Sequence, residues 1–170
     1  MDEVIYRARK FTLIRRKRVV GGEEVWGEYL QHPGAVAVLA LQGGRALLVR
    51  QFRPALGAWT LEIPAGTLEQ GEDPHEAAVR EMVEETGYRP RALEPLGQFH
   101  PTPGVSNELI RLYLARELDY VGVGERDPGE ADMEVLWIDV GEALDMVDRG
   151  VITDSKTIIA FLLAQRRGLL

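Results

Sequence analysis

Residues 66–88 read GTLEQGEDPHEAAVREMVEETGY, and this stretch decides how the middle of the chain folds and what it can bind. Asp73 and Pro74 predict the start of a helix, because aspartate caps free backbone N–H groups and proline fits the first helical position. Glu76 completes a capping box with Asp73. Gly87 is expected to end the helix, since glycine readily adopts the left-handed conformation found there. The stretch therefore predicts a loop followed by one helix.

This predicted helix divides into an acidic face and an apolar face. The acidic face carries Ala77, Arg80, Glu81, Glu84 and Glu85, and the opposite face carries Ala78, Val79, Met82, Val83 and Thr86. Glu81 and Glu85 stand four residues apart, where like charges destabilise a helix by about 0.3 kcal/mol. We expect the apolar face to pack on the core and the carboxylates to converge on the other side.

Carboxylates crowded on a rigid element suit a hard divalent cation. Mg²⁺ and Mn²⁺ prefer oxygen ligands and keep waters and substrate phosphates in their coordination shell. Such ions can bridge a diphosphate, neutralise its charge and activate a water. The alternative is a solvated acidic surface balanced by Arg80, but it explains neither Gly66 nor Glu72. The pattern therefore favours a site for a divalent cation.

The composition bounds the possible functions. The chain has 170 residues, of which 45% are hydrophobic and 28% charged, and this suits one compact domain spanning residues 1–170. A net charge of −7 argues against a nucleic-acid backbone as the main ligand. The lack of cysteine excludes disulfides, thiol catalysis and cysteine-based zinc sites. With no apolar signal core and no membrane-spanning run, we expect a cytoplasmic protein without membrane contact.

Strand and helix patterns surround the acidic helix. Residues 11–20 and 23–30, separated by two glycines, predict a β-hairpin, and the basic run at 15–18 is interpreted as a solvated strand edge. Further strands are predicted at residues 35–41, 46–52, 59–63, 93–99, 109–115 and 135–140. Two more helices are expected, one capped by Asp139 and one capped by Asp154 or Ser155. Strands and helices mixed around one sheet predict an α/β or α+β fold.

Residues 66–88 resemble the Nudix box, G-x5-E-x7-R-E-U-x-E-E-x-G-U with U apolar, at every position. The fixed positions are filled by Gly66, Glu72, Arg80, Glu81, Glu84, Glu85 and Gly87, and the apolar positions by Met82 and Tyr88. The segments 51–54, 59–66, 103–104, 134–137 and 154–157 resemble the ADP-ribose pyrophosphatase branch of the Nudix hydrolases. These segments are less specific than the box, since relatives that cleave other nucleoside diphosphate sugars and dinucleotides share them.

The resemblance implies an α/β/α sandwich with a mixed sheet, preceded by an N-terminal antiparallel hairpin. It also implies a homodimer in which residues 1–32 contact the partner and help to build the nucleotide site. An isolated hairpin is only marginally stable, which fits that role. Trp26, Tyr29 and Phe11 could supply an aromatic surface for a base, although ordinary packing of each ring is the alternative.

The resemblance further implies roles for the residues of the box. The main ligands of Mg²⁺ or Mn²⁺ would be Glu81 and Glu85. Glu84 would be a further ligand, and the carbonyl of Ala65 would complete the coordination shell. Arg80 would orient the carboxylates through charge-assisted hydrogen bonds.

Substrate contacts and the general base are also implied by the resemblance. Arg53 would clamp the diphosphate, Glu62 would bind the sugar or a partner side chain, and Pro103 would lie in a stiff loop near the substrate. The general base would be a carboxylate of a mobile acidic loop that carries Glu125, Glu130, Asp132 and Glu134. Glu130 is favoured because of its distance from the following strand, and Glu134 is the alternative. A merely solubilising role stays open for each of these carboxylates.

The sequence thus predicts metal-dependent hydrolysis of ADP-ribose to AMP and ribose 5-phosphate. One alternative is hydrolysis of another nucleoside diphosphate derivative, such as FAD, NADH or GDP-mannose. A second alternative is a nucleotide-binding module without catalysis, but the intact box argues against it.

Overall fold

A computed structural model describes residues 2–125, 129 and 131–170 of the chain. The strands are β1 Asp2–Arg7, β2 Thr12–Val20, β3 Glu23–Gln31, β4 Ala35–Gln42, β5 Arg45–Arg53, β6 Ala58–Glu62, β7 Ala65–Thr67, β8 Tyr88–Phe99, β9 Ile110–Tyr120 and β10 Glu134–Asp139. The helices are α1 Pro74–Thr86, α2 Val140–Asp148 and α3 Ser155–Arg166.

The central element is a mixed sheet covered by helices on both faces. Its main path runs β10-β5-β4-β9-β8, with β6 added to β5 and β7 added to β4. The β4–β9 pair is parallel and the other pairs are antiparallel. Side chains alternate along β4, so Val38 packs with Met82 of α1 while Leu39 packs with Phe161 of α3. The predicted α/β/α sandwich with a mixed sheet is therefore confirmed.

The N-terminal hairpin is confirmed, and it is part of a three-stranded sheet in the order β1-β2-β3. The interpretation of residues 15–18 as a strand edge is wrong for Arg15 and Arg16, which pair with β1 on one side and β3 on the other. Among the described residues, Lys17 and Arg18 pair with β3 alone. Arg15 forms an ion pair with Glu28 of β3 at 3.0 Å, and Arg16 forms one with Asp2 of β1 at 2.7 Å. The basic run is thus balanced by acidic residues on the neighbouring strands.

The helix boundaries follow the predicted caps. The side chain of Asp73 accepts hydrogen bonds from the N–H groups of His75 and Glu76, and Gly87 ends α1 with φ of 79°. Asp139 caps α2, and Asp154, rather than Ser155, caps α3. In the described part of the chain, no helix is long and apolar enough to cross a membrane.

Candidate active site

A cavity of about 1210 Å³ lies where the N-terminal sheet, β7, α1 and the start of α3 meet. The predicted site residues Arg53, Ala65, Arg80, Glu81 and Glu84 are among those that line it. The β1–β2 connection contributes Phe11 to the wall, and α3 contributes Lys156. The cavity therefore brings the acidic edge of α1 together with cationic side chains from distant parts of the sequence.

The acidic edge of α1 faces β7. Glu85 is 1% exposed, and its Oε2 accepts a hydrogen bond of 2.9 Å from the backbone N–H of Ala65. A methyl group built on Gly66 would overlap the carboxylate of Glu81, so glycine is needed here for the carboxylate to keep this position. The prediction of two opposite faces therefore needs correction. Glu81 and Glu85 are buried on the side of α1 that faces β7, whereas Glu84 is partly exposed, and Ala77 packs in the core instead of on the acidic face.

Arg80 holds three carboxylates, and we call Arg80 with Glu72, Glu81 and Glu84 the Arg80 cluster. Its Nε donates to Glu72 Oε1 at 2.7 Å, and its Nη1 donates to Glu81 Oε1 and Glu84 Oε2 at 2.8 Å each. The hydrogen bond from Arg80 lowers the pKa of Glu72. Glu72 also accepts a hydrogen bond of 2.9 Å from the N–H of Glu69, which ties the preceding loop to α1. One cation thus faces three carboxylates.

The donors of this edge suit Mg²⁺ or Mn²⁺, which bind carboxylate and carbonyl oxygens. The residues at hand are Glu81, Glu84, Glu85 and the backbone of Ala65. Among the described residues, no three acidic or histidine side chains already converge in a metal-holding group. Arg80 instead engages Glu81 and Glu84. A cation there would need part of its shell from water and substrate phosphate, as Mg²⁺ commonly does.

Arg53 belongs to a second group of charged side chains. We call Glu62, Arg53, Lys156 and Asp154 the Glu62 cluster. Arg53 donates from Nε to Glu62 Oε1 at 2.7 Å and from Nη2 to Glu62 Oε2 at 2.5 Å, which is a bidentate pair. Lys156 also donates to Glu62 Oε2, and it donates to Asp154 Oδ1 at 2.9 Å. Burial would raise the pKa of Glu62, but hydrogen bonds from Arg53 and the charge of Lys156 lower it to about 2.

The Glu62 cluster is connected through α3 to the segment that precedes Ala65. Asp154 Oδ2 accepts hydrogen bonds from the N–H and hydroxyl of Thr157, at 3.0 and 2.6 Å. The Thr157 hydroxyl in turn accepts the N–H of Ile63 at 2.9 Å, two residues before Ala65. Residues 154–157 carry part of the family resemblance, but no local pattern indicates a role for Lys156. The available signal was a lysine just after a helix cap, and its partner Glu62 lies 94 residues away.

Trp26 and Pro103 are predicted site residues that lie outside the described lining of the cavity. Trp26 is 45% exposed on β3, with the Nζ of Lys17 5.7 Å from its ring centroid. Pro103 lies in a turn between β8 and β9, although Pro101 of the same connection lines the cavity. Phe11 is therefore the predicted base-facing ring that reaches the cavity wall.

The candidate general bases are divided among three places. Glu130 lies outside the described residues. Glu134 begins β10 and forms an ion pair with Arg50 at 3.1 Å, away from the described lining. Glu125 lines the cavity, and the preceding residue, Gly124, donates its N–H to the carbonyl of Val83 on α1 at 3.1 Å. The segment that precedes Glu125 is thus hydrogen-bonded to the C-terminal part of α1.

Known proteins resemble this chain over most of its length. A family model described as NUDIX domain matches residues 30–161. The chain is 39% identical over 134 residues to an ADP-ribose pyrophosphatase of Bacillus subtilis, covering 78% of this chain and 72% of that protein. It is 38% identical over 164 residues to an ADP-ribose pyrophosphatase of Mycobacterium tuberculosis, covering 95% and 79%. A GDP-mannose pyrophosphatase of Cronobacter sakazakii is 34% identical over 168 residues, covering 93% and 82%.

A solved structure supports the same fold. The crystal structure of an ADP compounds hydrolase aligns with a TM-score of 0.84 and covers 100% of this chain and 95% of that chain. Its sequence identity is 20%, so this likeness concerns the fold alone.

Proposed function

Since the chain belongs to the Nudix family, we propose that it hydrolyses the diphosphate linkage of ADP-ribose and releases AMP and ribose 5-phosphate. The observation that carries the proposal is that Arg53 lines the same cavity as Arg80, Glu81 and Glu84 of the Arg80 cluster. A diphosphate bound there meets carboxylates that suit a divalent cation and a guanidinium that suits phosphate oxygens. Relatives with the name ADP-ribose pyrophosphatase, at 38% and 39% identity, support the choice of substrate.

The Nudix hydrolases generally use a divalent metal. We propose Mg²⁺ or Mn²⁺, held by Glu81, Glu84, Glu85 and the carbonyl of Ala65. When bound, the ion would neutralise diphosphate charge and lower the pKa of a water. Arg80 keeps the carboxylates aligned before the ion enters, since it donates directly to Glu81 and Glu84.

Arg53 is the proposed clamp for the diphosphate. It lines the cavity, and its two contacts with Glu62 use two of the five N–H donors of a guanidinium. Glu62 itself is 2% exposed, and its carboxylate accepts both of these hydrogen bonds from Arg53. Contacts of Glu62, Trp26 and Pro103 with the substrate stay predictions.

A carboxylate must accept the proton of the attacking water. We propose Glu130, with Glu134 as the alternative, because both belong to the acidic segment in which the family resemblance predicts the general base. The water oxygen would bond to one phosphorus and pass its proton to this carboxylate. The bond from that phosphorus to the bridging oxygen would break, and the released phosphate would keep the electron pair. Replacing each glutamate by glutamine in turn identifies the base, since only the correct variant loses turnover while keeping substrate affinity.

We further propose a homodimer within which residues 1–170 form one domain and residues 1–32 contact the partner. The three-stranded sheet exposes apolar side chains, including Val4, Tyr6, Val19, Val25 and Trp26, which supports burial against another chain. Light scattering tests this: a dimer mass is expected, and Tyr6→Lys should shift it towards the monomer. A monomer mass for the unmodified chain would contradict the proposal.

A cytoplasmic location is proposed as well, and the absence of cysteine fits it.

A second candidate function is hydrolysis of another nucleoside diphosphate sugar, because the chain is also 34% identical to a GDP-mannose pyrophosphatase. The relative values of kcat/KM for ADP-ribose, GDP-mannose, FAD and NADH decide between these substrates. A non-catalytic module would bind nucleotide and release no product.

The first experiment is incubation with ADP-ribose and Mg²⁺, followed by chromatography of the products. We expect AMP and ribose 5-phosphate, both absent when EDTA is added. AMP formation that persists in EDTA would contradict the metal-dependent reaction. No AMP with either Mg²⁺ or Mn²⁺ would reject ADP-ribose as the substrate.

A further inference from the structure

Lys156 is a buried lysine on the wall of the cavity, and the proposed reaction gives it no direct step. It is 8% exposed, and it lies at the start of α3 on the wall of the cavity. Its ammonium donates to Glu62 and to Asp154. Burying an ammonium is unfavourable unless it is paired, so the site is built around this charge.

The charges around Lys156 are balanced. The Glu62 cluster contains two cations, Arg53 and Lys156, and two carboxylates, Glu62 and Asp154. Without Lys156, Arg53 alone would face both carboxylates, and the cluster would carry a net negative charge. That charge would lie next to the Arg53 guanidinium, which contacts Glu62 and lines the cavity.

We propose that Lys156 is a positioning residue for diphosphate binding: it compensates the second carboxylate of the Glu62 cluster, so that Arg53 presents its positive charge to the anion. This inference rests on the proposed function, because it concerns the same diphosphate site. Lys156 acts through Glu62 and Arg53, and the chemical step itself does not require it. Its removal should therefore weaken binding more than it slows turnover.

If Lys156 acts by its charge, removing a nearby negative charge should restore diphosphate binding to a Lys156 variant. If it acts by packing alone, that second change should restore nothing. In Lys156→Met the aliphatic stem is kept and the charge is lost. In the double variant Lys156→Met with Asp154→Asn, charge balance returns while the bidentate Arg53–Glu62 pair is untouched. Asparagine is also a good helix cap, so α3 keeps its N-terminal hydrogen bond.

The test compares KM and kcat for ADP-ribose in these variants. We expect Lys156→Met to raise KM about tenfold, the effect of one charged hydrogen bond, with kcat within about twofold. Adding Asp154→Asn should return KM most of the way to the wild-type value. Arg91→Met is the matched control, since it removes one cation from the exposed Arg91–Asp119 pair. Wild-type KM in folded Lys156→Met, or a double variant no better than the single one, would overturn the proposal.

Direct binding separates this inference from the proposed function. Binding of ADP with Mg²⁺ is measured by calorimetry in the wild type and in Lys156→Met. If the wild type fails to hydrolyse ADP-ribose but binds ADP more tightly than the variant does, the function is wrong and the role of Lys156 holds. If the wild type hydrolyses ADP-ribose and both proteins bind ADP equally, the function holds and the role of Lys156 is wrong. A wild type that does not bind ADP would reject the role as well.

Discussion

The Arg80 cluster and the Glu62 cluster use the same kinds of side chain for opposite purposes. In the Arg80 cluster one guanidinium is shared by three carboxylates, which leaves an excess of negative charge at the cavity wall. In the Glu62 cluster two cations match two carboxylates, and a guanidinium faces the cavity. The first arrangement suits a cation and the second suits an anion. A metal–diphosphate complex has both parts, so the cavity can hold it between the two clusters.

The largest expected effect comes from a carboxylate on the acidic edge. Glu85→Gln keeps an oxygen that accepts the N–H of Ala65, but it removes a negative charge needed by a divalent cation. We expect turnover of ADP-ribose to fall on the order of a thousandfold, since metal catalysis contributes several kcal/mol. Steady-state kinetics measures the loss, and circular dichroism verifies the fold. Glu76→Gln, an exposed position on the same helix, is the control and should stay near wild type. Near-normal turnover in folded Glu85→Gln would reject the metal site.

The Glu62 cluster predicts a pH effect on stability. Glu62 has a pKa of about 2 in the folded protein, against about 4.3 in an unfolded chain. Because the folded pKa is the lower one, the stabilisation is complete above about pH 4.3 and is lost as the pH falls towards 2. The loss from this group is about 3 kcal/mol. Urea unfolding measured at several pH values tests it.

Arg53→Met is the informative comparison for that pH effect. Arg53 makes the largest lowering contribution to the pKa of Glu62, so its removal should bring that pKa closer to the unfolded value. The unfolding free energy of the variant should then fall less steeply below pH 4.3 than that of the wild type. Parallel curves for the two proteins would mean that Glu62 does not contribute to acid sensitivity.

Gly66→Ala tests the close approach of β7 to the acidic edge. The added methyl group would meet the end of the flexible Glu81 side chain, so the carboxylate should move while the backbone stays in place. We expect about a hundredfold loss of kcat, because a displaced metal ligand cannot support the reacting geometry. Gly97→Ala, whose methyl group would lie 3.2 Å from Leu163 Cδ1, is the control and should affect stability more than activity. A Gly66→Ala enzyme with normal kcat would show that Glu81 need not hold its position.

The two clusters also differ in how well the sequence predicts them. The Arg80 cluster lies within residues 66–88, where the Asp73 cap, the Gly87 stop and the helical spacing predict which side chains share a face. The Glu62 cluster joins Glu62 to Lys156 across 94 residues, and no local pattern predicts that pairing. Similarly, β1 shows no apolar alternation because all six of its residues are exposed. Because no sequence pattern indicates β1, the strand edge predicted at Arg15 and Arg16 is in fact paired with a further strand.

Arg80→Met should separate the stabilising role of this arginine from the role of a metal. In EDTA we expect the variant to lose about 2 kcal/mol of unfolding free energy, because Glu72, Glu81 and Glu84 lose a charged hydrogen-bond donor and repel each other. Mg²⁺ should recover part of this loss, since a cation bound to the same carboxylates replaces the missing positive charge. Thermal unfolding with EDTA and with Mg²⁺ measures both values, and the wild type should gain less from Mg²⁺ than the variant does. If Mg²⁺ stabilises both proteins equally, Arg80 and the cation do not share these carboxylates, and the excess negative charge of the Arg80 cluster would have another purpose.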